Sequence, residues 1–333
     1  MVDAGLLARL TAQGIITGLL YGSIIGTVAV GLTLIWGVMK VVNLSHGHLV
    51  VLGGMLAAFV FVTLGINPII IFILFLGLGA VIGVIFYYSA VHGIIGHVDI
   101  ITLKEEMDTL MTTFGFGITI FGLHYVIANY VPSYSTQPSI SWRAMIGGTD
   151  VISIRSLGTA AAPFTVSITQ LVAAILAFLL TLATWFSINK TTLGLTIRAV
   201  AQDSRALALV GVNPVRIKLA TAVISTAVAV GSGVLYLIYV GSITPTSESI
   251  LAPLSFVIVV LGGLGSIMGT YIGGVILGLI YQVIVYASQA FFGQPQQSLA
   301  LATAFAILLI MLLVKPEGLF GRKKRWASRD GGV

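Results

Sequence analysis

The chain has no cysteine anywhere in its 333 residues, which excludes a disulfide framework and thiolate chemistry. Charge is nearly as scarce. Only 8% of residues are charged, against about 25% in soluble domains, while 58% are hydrophobic. With a mean hydropathy of +1.10, a soluble domain of this length could not solvate its surface. The composition therefore describes an integral membrane protein with several spans. No G-x-x-x-x-G-K-[ST] occurs, so the chain does not hydrolyse ATP through a P-loop, and a pump built on it draws energy from another subunit. The ten carboxylates, Asp3, Asp99, Glu105, Glu106, Asp108, Asp150, Asp203, Glu248, Glu317 and Asp330, all fall outside the long apolar runs. An ion- or proton-coupled carrier usually keeps an ionisable group at membrane depth, so this pattern weighs against secondary transport. The N-terminus has only Arg9 ahead of its first apolar run and no small-residue cleavage pattern, which predicts a retained span rather than a signal peptide. The net charge of +6 sits in loops and tail, the signature of topology and not of nucleic-acid binding.

What is present is a succession of apolar runs: Thr11–Met39, Leu49–Leu64, Ile69–Val91, Thr109–Val131, Thr165–Ile188, Leu219–Ile243, Leu251–Gly265, Thr270–Phe292 and Leu299–Val314. They predict an all-α, polytopic transmembrane helical bundle of about eight spans, nine if every run crosses, with broken or re-entrant helices among the shorter runs. Residues 1–321 form the transmembrane domain and 322–333 a basic tail. Of the sixteen Lys and Arg, the segment 190–218 holds Lys190, Arg198, Arg205, Arg216 and Lys218, and the tail region holds six more. The positive-inside bias places both in the cytosol and the Ser-, Thr-, Gly- and Pro-rich loop 132–164 outside. The acidic stretch 99–108 is then cytosolic by span count, not by charge. Glycines recur every fourth residue at Gly14, Gly18, Gly22 and Gly26, and again at Gly265, Gly269 and Gly273. Residues so spaced share a helix face and allow backbones to approach closely, within one bundle first and against a partner permease second.

Two polar segments carry the candidate function. Residues 190–218 are the one interior stretch that reads as a water-facing, helical loop. Arg198, Gln202 and Arg205 fall at i, i+4 and i+7 and form one polar helical face. Asp203 is placed to cap a short helix, Ser204–Val210, that stops at Gly211. Asn213-Pro214 then fits an N-cap followed by proline at the first helical position. Ala206, Ala208, Leu209 and Val210 give the short helix an apolar surface for a protein groove; an interfacial helix resting on lipid headgroups fits the same residues equally well. The second segment, Lys40–His48, gathers Asn43, Ser45, His46 and His48 between two spans. Polar groups at a helix break tend to line a permeation path, so Asn43, Ser45, His46 and Gly47 are candidate path residues. Ordinary helix capping by Asn43 or Ser45 is the plainer reading. Two histidines without a third ligand do not make a metal site. His92, His97 and His124 are isolated and read as interfacial or packing residues, whereas Asn129, Tyr236, Tyr239 and Thr244 lie near span ends, suited to substrate contact or to an aromatic belt.

Several motifs together resemble the permease subunit of branched-chain amino acid ABC importers. Gly31-Leu32-Thr33-Leu34-Ile35-Trp36-Gly37, leading to Asn43-Leu44-Ser45-His46-Gly47, is similar to that family's first element. Leu193-Gly194, Arg198-Ala199 and Asp203 through Asn213 are similar to its cytosolic coupling loop. Val260 through Ile267 with Gly269 and Gly273-Gly274 resembles its glycine-rich late span, and Pro316-Glu317-Gly318-Leu319-Phe320-Gly321 its closing motif. The chain departs from the family in Gly96–Asp108, acidic and without arginine where a basic element is usual, and in Leu254 where some members carry lysine. The resemblance implies a prokaryotic inner-membrane subunit that binds no cofactor itself. It would work with a second permease (a copy or a paralogue), two cytosolic ATPases that use ATP, and an extracytoplasmic substrate-binding protein. Arg198, Asp203, Arg205, Ala206, Leu209 and Gly211 are then the ATPase-coupling residues. Urea or short amides are an alternative cargo; an ATP-independent carrier or channel is the alternative class.

Overall fold

A computed structural model describes residues 4–96, 101–130, 151–159 and 162–321. Among them nine helices are long and apolar enough to cross a membrane. In chain order they are α1 (Ala4–Met39), α2 (His46–Leu64), α3 (Pro68–Ile95, with a π-helical turn at Tyr87–Val91), α4 (Leu103–Tyr130), α5 (Ile168–Lys190), α8 (Pro214–Val240), α9 (Glu248–Gly262, preceded by a 3₁₀ turn at Pro245–Ser247), α10 (Ile267–Phe292) and α11 (Gln297–Val314). Two short helices, α6 (Thr192–Gln202) and α7 (Ser204–Leu209), link α5 to α8. The architecture is the expected all-α polytopic bundle, and every apolar run becomes a helix.

One part of the expected external loop is folded. Val151–Thr159 and Ala162–Ser167 form an antiparallel hairpin, with Val151 opposite Ser167 and Ile154 opposite Phe164. The β-branched residues of this stretch favour a strand over the loop expected for it. The span beyond it accordingly starts at Ile168 and not Thr165. Residues 131–150 and the tail 322–333 lie outside the described residues.

The bundle is built from two helix sets joined by α5–α7, with their packing repeated in inverted order. α1 lies antiparallel along α10, and α8 lies antiparallel along α3. Glycine makes both contacts possible. A Cβ on Gly14, Gly18 or Gly22 would come within 2.9 Å of Val283, Leu279 or Val275 backbone, and one on Gly79 or Gly83 within 2.8 Å of Ala227 or Val223 Cα. The Gly14–Gly26 stripe thus packs inside the chain, interlocked with Gly274 and Gly278. Gly269 and Gly273 close the α9–α10 hairpin on Gly262, while Gly265 touches Gly37. α1 and α8 cross at the centre, joined by Ser225 Oγ donating to Gly31 O (2.6 Å) and Tyr239 OH donating to Thr17 O (3.2 Å). Each is followed by a break, at 40–45 and 241–247, and then by a helix that starts inside the bundle. Inverted repeats with interrupted helices are a recurrent transporter plan.

Relative sidedness follows from contacts. Lys218 Nζ donates to Ile95 O (2.7 Å), so the end of α3 meets the start of α8. Leu319 N and Phe320 N donate to Leu261 O (2.8 Å) and Gly262 O (3.2 Å), fastening the closing motif to the end of α9. Gly265 N donates to Thr33 Oγ1 (3.2 Å), which brings the same end to α1. Lys40, Lys190, Arg198, Arg216, Lys218 and Lys315 therefore gather at one basic end, and the hairpin sits at the other.

Candidate functional site: the basic-end loop and the two helix breaks

The loop between α5 and α8 is a fixed structure. Thr191 caps α6 by accepting from Gly194 N (3.1 Å). A Cβ on Gly194 would fall 2.1 Å from Ile188 O, so only glycine permits this turn. Arg198 Nη1 donates to Ile188 O (3.0 Å), Asn189 O (3.3 Å) and Asn189 Oδ1 (3.1 Å). A cation on the last carbonyls of α5 satisfies orphan acceptors and complements the helix dipole. Arg198 is thus a clamp that orients α6 on α5. The expected single face of Arg198, Gln202 and Arg205 does not form, because the helix breaks at Asp203, whose backbone is extended (φ −151°, ψ 103°). An extended residue between two helices is what an N-cap requires.

Beyond it α7 runs Ser204–Leu209 and ends as the sequence predicts. Gly211 takes φ +84°, Val212 N donates to Leu207 O (3.1 Å), and Gly211 N donates to Ala208 O (3.1 Å). This is a Schellman stop, in which glycine carries the left-handed conformation. Asn213 Oδ1 then accepts from Val215 N (2.9 Å) and Arg216 N (3.4 Å), starting α8 with Pro214 in its first turn. The outcome is a small rigid knob whose apolar tip is bare: Leu209 is 89% exposed and Val210 75%.

In the first break, residues 40–45, Lys40 is exposed but the polar side chains beyond it are enclosed. Asn43, Ser45 and His46 are buried. Asn43 Oδ1 accepts from Ser45 N (3.0 Å) and Ser45 Oγ (2.6 Å). Thr113 Oγ1 of α4 accepts from Leu44 N and donates to Val42 O, each at 3.3 Å. His46 Nε2 meets Val28 O (2.8 Å) in the body of α1. A Cβ on Gly47 would lie 2.5 Å from Ala252 Cβ of α9. Non-helical backbone at membrane depth survives only where protein or a water-filled cavity satisfies it, and here protein does so. Asn43, Ser45, His46 and Gly47 therefore share one packed junction of α1, α2, α4 and α9, and none of them lines the cavity described next.

That cavity, of about 260 Å³, lies toward the other end, between α1, α8 and α10. Its walls include Tyr21, Tyr236, Tyr239, Tyr281 and Gln282, and no Asp, Glu, Lys or Arg lines it among the described residues. Tyr236 and Tyr239, singled out from sequence, thus meet in one place; Asn129 and Thr244 do not join them.

The sequence reading missed a contact between the two breaks. His48 Nδ1 touches Glu248 Oε2, and His124 Nε2 meets His48 O (3.1 Å). Glu248 stands outside the apolar runs in the sequence, yet it opens α9 within a segment long and apolar enough to cross a membrane. The break before it folds the chain back into the bundle, which a linear hydropathy reading does not show. A polar run (Thr-Pro-Thr-Ser-Glu-Ser) directly ahead of a short apolar run was the available signal. The sequence argument against an ion-coupled carrier, which used the lack of a carboxylate at depth, falls with this placement. No group of three or more His, Asp or Glu able to hold a metal occurs among the described residues.

Comparison with known proteins decides the class. The model of the branched-chain amino acid transport system permease component matches residues 14–314. The chain belongs to that family. It is similar to the high-affinity branched-chain amino acid transport system permease protein LivH of Escherichia coli K12, 29% identical over 312 residues, covering 93% of this chain and 95% of that one. LivH of Salmonella typhimurium LT2 is 28% identical with the same coverage. The BraD permease of Pseudomonas aeruginosa is 27% identical over 314 residues, again covering 93% and 95%. Among solved structures, PsaBC from Streptococcus pneumoniae in complex with Fab superposes at a TM-score of 0.47 with 15% identity, covering 93% of each chain, a likeness too distant to carry function. The chain is a multi-pass inner-membrane permease.

Proposed function

We propose that this chain is the membrane-spanning subunit of an ATP-binding-cassette importer for branched-chain or related amino acids. In this reading it pairs with a second permease, rests on two cytosolic ATPases and takes cargo from an extracytoplasmic binding protein. ATP is consumed by the partners, and the basic end faces the cytosol. The observation that carries the reading is the bare apolar tip of α7 at that end. Six residues of helix, about 9 Å long, offer little face to a bilayer but suit a groove in a folded protein. Asp203, Arg205, Ala206, Leu209 and Gly211 form or flank the knob, and Arg198 holds its base. Force on the knob passes through the Asn213 cap directly into α8, at the centre of the bundle. Differential contact with two states of the ATPase pair is what makes such a knob a transducer.

Asn43, Ser45, His46 and Gly47 act in the path from behind its surface, by fixing the break from which α2 starts. Leu209→Glu tests the coupling role in proteoliposomes holding the full complex. An exposed carboxylate leaves the fold intact but opposes insertion into an apolar groove, so ATP-driven leucine uptake should fall about ten-fold or more. Unchanged uptake with unchanged assembly would overturn the docking assignment.

A further inference from the structure

The His48–Glu248 contact lies about half-way along the membrane-spanning bundle. His46 is tied to Val28, eleven residues or about 16 Å from the basic end of α1. Glu248 begins a helix of fifteen residues that ends at Gly262, about 21 Å away at the basic end. A Cβ on Gly117, midway along α4, would lie 2.7 Å from the His48 ring. At this depth the pair is not sealed: the His48 and Glu248 side chains are 12% and 20% exposed. Thr244, Thr246 and Ser249, on either side of Glu248, are exposed as well. A row of hydroxyls with a carboxylate cannot face lipid tails, because nothing there replaces water around them. This face must border a water-filled path or the seam to the second permease.

The charge of the cluster is one-sided. Its described members are Asn43, His46, His48, His124 and Glu248, with one carboxylate and neither lysine nor arginine. It favours a cationic group. One carboxylate oxygen meets His48, and a carboxylate has acceptor capacity beyond one partner. The ring of His48 is held by Phe121 at 5.8 Å and His124 at 6.0 Å, and its backbone by His124. We propose that Glu248 receives the ammonium group of a zwitterionic amino acid part-way along the path, with His48 as its positioning partner. This rests on the importer reading and adds the polar contact that reading lacks.

The test uses the full complex in proteoliposomes with leucine as cargo. Glu248→Gln keeps size and polarity but removes the charge. Leucine uptake should drop about ten-fold, the cost of one charge-assisted hydrogen bond, while ATP hydrolysis stimulated by the binding protein stays within about two-fold of the original. Glu248→Asp should lose less than Glu248→Gln. Because the chain has no cysteine, Ser249→Cys gives this chain a single thiol, whose labelling is read on its own band. It should react with a membrane-impermeant cationic thiol reagent, whereas Ile73→Cys on the exposed apolar face of α3 should not. Full uptake by Glu248→Gln would overturn the proposal, as would a Ser249→Cys as inert as Ile73→Cys. If Glu248→Gln does not assemble, Glu248→Asp and the labelling decide. Failure of the unaltered complex to import leucine would sink the importer reading instead, and labelling would still report whether the face is wet.

Discussion

The two breaks sit at equivalent places in the inverted halves and solve the same problem in opposite ways. Residues 40–45 follow α1 and are roofed by side chains: Asn43, Ser45 and His46 are inaccessible, and Thr113 serves the free backbone. Residues 241–247 follow α8 and keep their hydroxyls outward. Thr244 N donates to Ser247 Oγ (3.0 Å), and Ser249 Oγ donates to Thr246 O (2.8 Å), while Thr244, Thr246 and Ser249 stay exposed. Both satisfy the rule that unwound backbone in a membrane needs partners. The first takes them from protein, and the second leaves some to water. A closed break is a joint, whereas an open one is a surface. The pseudo-symmetric fold therefore assigns rigidity to one half and solvent contact to the other.

Overfilling each break should separate them most sharply. Gly47→Val places side-chain atoms where a Cβ alone would already lie 2.5 Å from Ala252 Cβ and 3.0 Å from its Cα. Helix α2 must then move off α9, at about 3 kcal/mol. The expected result is a large loss of the monodisperse fraction after heating in detergent. Thr246→Val in the open break should stay within about 0.5 kcal/mol of the original, as exposed positions do. Equal losses would mean that the second break is packed in the assembled protein.

Removing one polar partner from each break should give a smaller contrast of the same sign. Asn43→Ala leaves Ser45 N and Ser45 Oγ without their acceptor inside a sealed junction. That costs about 1–3 kcal/mol, the penalty of an orphaned buried group. Uptake should fall while the complex still assembles. Ser247→Ala removes a bond that water replaces, so about 0.5 kcal/mol or less is expected. A thermal-shift comparison of the two variants checks both.

The difference between the breaks also marks what the sequence could reveal. Apolar runs fix helices because only helices satisfy backbone in lipid, so the nine long helices α1–α5 and α8–α11 could be placed without coordinates. Local signals with a short reach were equally legible: a short helix after Asp203, Gly211 as its left-handed stop, and Asn213-Pro214 as the next helix start. What escaped depends on contacts distant in the chain. Arg198 looked like a surface charge on one face with Arg205, and only the α5–α6 turn shows it clamping Ile188 and Asn189. Glu248 looked like a loop residue because hydropathy cannot register a chain that re-enters the bundle. His48 stood beside Asn43, Ser45 and His46 in the same motif, yet it alone turns toward the open break, two hundred residues further on.

The smallest expected contrast lies at the entries to two long helices, one from each half, which use the same Asn-Pro start. Asn67 Oδ1 accepts from Ile69 N (2.9 Å), whereas Asn213 Oδ1 accepts from both Val215 N and Arg216 N. Replacing either with alanine should cost about 1 kcal/mol of stability, the usual value of an N-cap. Asn67 follows the tight turn at Gly65, away from the basic end, so Asn67→Ala should change stability alone. Asn213 is the joint between the exposed α7 knob and α8. Loosening it lets α7 move without α8, so Asn213→Ala should also lower uptake per ATP hydrolysed, by about two-fold. Transport and hydrolysis measured together on both variants distinguish a lever from a plain helix start: equal ratios for the two would reduce Asn213 to a cap like any other.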